Sequence, residues 1–172
     1  MKLSCTSVML PRWDLDQTFD KLAEYGYEGL ELRCRYIRED MPEEPSFWGR
    51  HVADVSPDNI VDRASEIQAA SARSGLKVIA LAPQALIGED DLIDKLFSGA
   101  RAIDPDSPPM IRIGAPRHDR SQPYGPQWDE ARSGFEALTA KAKDRGVKVL
   151  YEIHVGTVAV SCSRAIELLH GL

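Results

Sequence analysis

The apolar positions of this chain follow two rhythms. One repeats at helical spacing, and the other comes as short continuous runs. Three times a helical stretch closes on Gly and an apolar run starts at once. The segments are Tyr25-Gly26-Tyr27-Glu28-Gly29-Leu30-Glu31-Leu32-Arg33, Ser74-Gly75-Leu76-Lys77-Val78-Ile79-Ala80-Leu81 and Arg145-Gly146-Val147-Lys148-Val149-Leu150-Tyr151-Glu152-Ile153-His154. Gly just past the last helical turn takes the left-handed conformation that stops a helix. An apolar run directly after it reads as a buried strand. Helices alternating with such strands predict right-handed crossovers and a parallel sheet.

The elements follow from this grammar. Residues 2–8 predict a first strand. Asp14 and Gln17 have capping-box spacing, and Leu15, Phe19, Leu22 and Ala23 form the stripe of the first helix. Residues 28–33 are the second strand. Ser56-Pro57 predicts a helix start, with Ile60, Ala64 and Ile67 facing the core. The third strand, 76–82, is expected to end at Pro83. A helix over 89–103 uses Leu92, Ile93, Leu96 and Phe97. The fourth strand is 110–114, the next helix 127–145, the fifth strand 147–154 and the last helix about 161–170. Segments 34–55 and 115–126 have no period. Loops of that length inside a domain are commonly functional, and Phe47 and Trp48 favour a packed, lid-like loop. The expectation is an α/β chain of five strand–helix units forming one domain over residues 1–172.

Parallel strands covered on both faces should be apolar throughout, and three of these strands are not. Side chains alternate faces along a strand. Leu30 and Leu32 therefore oppose Glu31 and Arg33, Ile111 and Ile113 oppose Arg112, and Val149, Tyr151 and Ile153 oppose Glu152 and His154. All five polar residues lie towards the C-terminal ends of their strands. If the apolar faces meet the helices, the charges converge at the upper rim of a barrel, where active sites of such barrels sit. Glu152 with His154 is the strongest pair, because two ligand-type side chains two residues apart suit a divalent metal or a polyol.

Composition narrows the function. The chain has 172 residues, 43% apolar and 28% charged, enough for one core. No run approaches the ~18–20 apolar residues of a membrane span, and Met1–Cys5 shows no signal-peptide core. A net charge of −6 argues against a protein that covers nucleic acid. Cys5, Cys34 and Cys162 form no CxxC pair and read as buried or partly buried free thiols in a reducing cytoplasm. The phosphate-cradling G-x-G-x-x-G and Walker sequences and the G-x-S-x-G elbow are missing.

Gly26–Arg33, Gly75–Val78, Met110-Ile111-Arg112-Ile113-Gly114 and Val149–His154, in this order and spacing, resemble the xylose-isomerase-like barrel superfamily. It includes sugar phosphate isomerases and epimerases and the AP-endonuclease-type enzymes. The resemblance covers essentially the whole chain and implies an incomplete TIM barrel, about five of eight units, since a complete one takes ~250 residues. It implies that Glu152 is a metal ligand and acid/base group. His154, Glu31, Arg33 and Arg112 would line the substrate side. The implied activity is metal-dependent isomerisation or epimerisation of a sugar or sugar phosphate through an enediolate. The metal would be Mn, Mg, Zn or Co in a complete barrel. The remaining ligands belong to strands six to eight, so five units are expected to be inactive alone and to bind metal weakly or not at all. Two alternatives stand beside this. One is an AP-endonuclease-like phosphodiesterase scaffold, weakened by Ala82-Pro83-Gln84 at the third strand's end, which lacks that branch's His. The other is a non-catalytic partial barrel whose free strand edges pair with a second copy or another chain.

Overall fold

A computed structural model describes residues 2–172; Met1 of the expected domain lies outside them. Five parallel strands stand side by side in sequence order. They are β1 (Ser4–Thr6), β2 (Gly29–Arg33), β3 (Lys77–Leu86), β4 (Met110–Gly114) and β5 (Val149–Tyr151). The helices are α1 (Leu15–Glu24), α2 (Ala64–Ser74), α3 (Asp90–Ile103), α4 (Tyr124–Arg145) and α5 (Cys162–Leu169). The sheet is open, as five consecutive units of an unfinished barrel would be. No helix is long and apolar enough to cross a membrane among the described residues.

The local signals act as their chemistry requires. Asp14 accepts from the Gln17 amide at 2.8 Å, and the Gln17 side chain accepts from the Asp14 amide at 3.2 Å. Gly75 and Gly146 close α2 and α4 at φ of 75° and 66°, a region open mainly to glycine. Leu30, Leu32, Leu81, Ile111 and Ile113 are buried in one cluster with Phe19, Ile67 and Phe97 of the helices. The apolar strand faces therefore meet the helix layer, and the charged parity faces the other way.

Several boundaries differ from expectation. The first strand shortens to Ser4–Thr6 because a 3-10 turn, Ser7–Met9, follows it, with the Thr6 hydroxyl accepting from the Val8 amide. Ser56-Pro57 opens a series of turns instead of a regular helix, and α2 begins only at Ala64. The Asn59 side chain ties the Ser56 amide, while Arg63 donates to the carbonyls of Ala53 and Asp54. Pro83 does not end β3. Leu81 pairs with Ile111 and Ala85 with Ile113, so the ladder skips Ala82-Pro83-Gln84 as a bulge and resumes. A bulge needs no ladder hydrogen bond from proline. In the fifth strand only Val149–Tyr151 pair, leaving Glu152 and His154 just beyond the ladder. α4 starts at Tyr124, three residues earlier than expected.

Candidate functional site

At the C-terminal ends of the strands lies a cavity of about 700 Å³, lined among others by Arg35, Gln84, Arg112, Arg117, Glu152 and His154. Phe47 and Trp48 form one wall, with their rings edge to face at 4.4 Å. Trp48 is 70% exposed, so this loop is less packed than its aromatic content predicts. A cavity of about 640 Å³ at the opposite end is lined by Lys77, Lys148, Asp104 and turn residues, and none of the predicted site residues reaches it.

Register explains how distant residues meet. Glu31 pairs with Ala80 and Arg33 with Ala82, so two alanines of β3 stand between β2 and β4 on the polar face. Their methyl groups leave room for Arg112 to reach across. Its Nη1 lies 3.0 Å from Glu152 Oε1 and 3.4 Å from Glu31 Oε1. One guanidinium of β4 thus bridges a carboxylate of β2, across β3, and one just past the end of β5. Arg112 and Glu31 are largely shielded, whereas the Glu152 side chain is 48% exposed. His154, also exposed, places Nδ1 2.9 Å from its neighbour's carbonyl, Val155 O.

Arg33 is placed differently. Its side chain is buried and donates from Nη2 to Gly49 O at 2.8 Å, under the 46–51 loop, and it is not among the cavity-lining residues. Its Nε has no hydrogen-bond partner among the described residues. Burial, and then the nearby Arg35, pull its pKa down to about 10. Arg35, Gln84 and Arg117 line the cavity without having been singled out in the sequence. Arg35 had a signal, because Glu31, Arg33 and Arg35 continue one alternation past the strand's end.

His51, buried beside Arg33, carries an unpartnered Nε2, and burial followed by the Arg33 charge lowers its pKa to about 4. The unfolded chain therefore takes up a proton near pH 6.5 that the folded chain refuses. Stability is full above pH 6.5 and falls as the pH drops towards 4, by roughly 2–3 kcal/mol. Urea titrations at pH 7.5 and 4.5 should show this loss, and His51→Gln should flatten it. A slope equal to wild type in that variant would assign the effect elsewhere. Cys34 is the inert thiol expected of a core position, with burial raising its pKa to about 12.

The donor set decides the metal question for these five units. Among the described residues no three His, Cys, Asp or Glu side chains cluster to hold an ion. The two carboxylates that come nearest already share Arg112. Zinc takes about four ligands and a hard divalent cation about six, so the described residues do not by themselves fit either.

No protein-family model matches the sequence, and no curated protein matches it. Solved structures do share the fold. One is 3-keto-D-glucoside 4-epimerase YcjR from E. coli, with 14% identity, a TM-score of 0.61, and 91% of this chain covering 57% of that one. Another is the probable 3-DHS dehydratase AsbF of petrobactin synthesis from Bacillus anthracis, with 15% identity, a TM-score of 0.68, and coverage of 98% and 58%. A third is the IolI protein with a bound zinc atom, with 15% identity, a TM-score of 0.58, and coverage of 98% and 58%. Likeness at this identity shows the fold alone, parallel strand–helix units that match part of a longer chain. The chain spans less than three-fifths of each of these neighbours.

Proposed function

We propose that the cavity at the strand ends is the substrate side of a sugar isomerase- or epimerase-type site, working in a cytoplasmic setting on a sugar or sugar phosphate. The observation that carries this is the convergence of Glu152, His154 and Arg112 on one cavity at the C-terminal rim. Among the described residues Arg112 engages Glu152 through Oε1, and Oε2 has no partner. Oε2 is left to accept a proton from the carbon next to a substrate carbonyl. The His154 ring is suited to hydrogen-bond hydroxyls, and Glu31 holds Arg112 beside the reacting group. A divalent ion belongs to the complete version of this reading. Glu152 would give it one ligand, and the others would come from outside these five units. The fold neighbours named for epimerase and dehydratase activity, and the one holding zinc, support the reading by analogy of fold.

The test is ligand-detected NMR of the purified chain with D-fructose, D-fructose 6-phosphate and myo-inositol. At least one should bind with millimolar or better affinity. Glu152→Gln and His154→Ala should each weaken it about 5-fold, or ~1 kcal/mol. No net isomerisation is expected from the chain alone. Absence of any binding, or binding indifferent to both variants, would overturn the assignment. A second reading, a partial barrel that assembles with another chain, is favoured by one observation. Leu150, Ile153 and Ile166 are exposed along the β5–α5 edge, and an open parallel edge is a pairing template.

A further inference from the structure

The cavity is electropositive in a chain whose net charge is −6. Arg35, Arg112 and Arg117 line it, and Glu152 is the one carboxylate among the described lining residues, with Glu31 meeting Arg112 from β2. Both carboxylates pair with Arg112 through Oε1 and reach Arg35 only at longer range. Arg35 is left with a single side-chain hydrogen bond, Nε to Ala82 O at 3.3 Å, and among the described residues no carboxylate lies within ion-pair distance of it. It is also buried, with 8% exposure. Arg33 lies near it, with no carboxylate within ion-pair distance among the described residues; burial and then Arg35 lower the Arg33 pKa, while burial and then Arg112 lower that of Arg35, which Glu152 and Glu31 offset only in part. A guanidinium taken out of water without a counter-charge is unfavourable. One whose Nε is anchored to backbone and whose fork borders a cavity is arranged for a bidentate oxyanion.

We infer that Arg35 is the anchor for a phosphate or carboxylate group carried by the substrate, so that the site selects acidic over neutral sugars. This rests on the sugar-site reading above and sharpens it. Arg112, already neutralised, is a positioning residue for Glu31 and Glu152. The anion is assigned to Arg35, with Arg117 at the mouth adding attraction that salt screens.

The experiment is isothermal titration of the whole chain at low ionic strength with inorganic phosphate, D-glucose 6-phosphate, D-glucuronate and D-glucose. At least one acidic sugar should bind tenfold or more tightly than glucose, and raising the salt to 0.3 M should cut that advantage. The better of the two acidic sugars tells phosphate from carboxylate. Arg35→Met should abolish the advantage while leaving glucose within twofold, and the exposed control Lys143→Met should leave it intact. If Arg35→Met does not fold, Arg35→Lys decides. It keeps the charge but not the fork, and should weaken only the acidic ligands, threefold or more. Phosphate binding that disappears in Arg35→Met, with no sugar bound at all, would uphold the anion site and sink the sugar reading. Glucose bound as tightly as both acidic sugars, or an advantage that survives loss of Arg35, would overturn the anion site and leave the sugar reading standing.

Discussion

Arg112→Met is expected to destabilise the fold by roughly 2–3 kcal/mol at neutral pH, somewhat below the ~3–5 kcal/mol for breaking a fully buried ion pair on one side. Methionine fills most of the volume of the arginine stem, so the loss is chiefly electrostatic. Glu31 and Glu152 are left facing each other with no cation between them. The discount from the full range follows from Glu152, half in water. Urea unfolding reads the effect, and the double variant Arg112→Met/Glu31→Gln should recover at least 1 kcal/mol by removing one of the two stranded charges. A loss under about 0.5 kcal/mol would mean that the three side chains are solvated independently and do not form a bridge.

Phe97→Ala is expected to cost still more, about 3–5 kcal/mol, because it empties a fully buried aromatic site. Phe97 sits on α3 in the cluster that joins Ile60 and Ile67 to Leu81 and Ile111 of the sheet. For a domain of total stability ~5–15 kcal/mol this is a large share, and it should lower Tm by about 10 °C. Ligand affinity measured below the transition should hold, since Phe97 is remote from the cavity lining. A small loss of stability would contradict the placement of the helix layer on this face.

How much of this could be read in advance depends on the range of the interaction. Gly26, Gly75 and Gly146 mark helix ends by backbone conformation alone, and Asp14 with Gln17 marks a helix start within four residues. These local devices placed α1, the ends of α2 and α4 and the start of β2 within a residue or two. Parity along β2 and β4 separated Leu30, Leu32, Ile111 and Ile113 from Glu31 and Arg112, because alternation is a property of one strand. The bulge at Ala82-Pro83-Gln84 was illegible, since its existence depends on how β4 pairs with β3. So was the bridge from Arg112 to Glu31, which needs the two small alanines of an intervening strand. Arg33 and Arg35 share one parity, yet one is drawn beneath the Gly49 loop while the other borders the cavity. That split is made by a loop with no periodic pattern to read.

The central claim is that the polar strand ends form a ligand site on the face away from the helices. A crystal structure of the chain grown with D-glucose 6-phosphate tests it most directly. The account predicts the ligand between Arg35, Glu152 and His154, on a sheet of five parallel strands with Arg112 still bridging Glu31 and Glu152. A ligand bound elsewhere with that cavity empty, or Glu152 and His154 turned towards the helix-covered exterior, would contradict it.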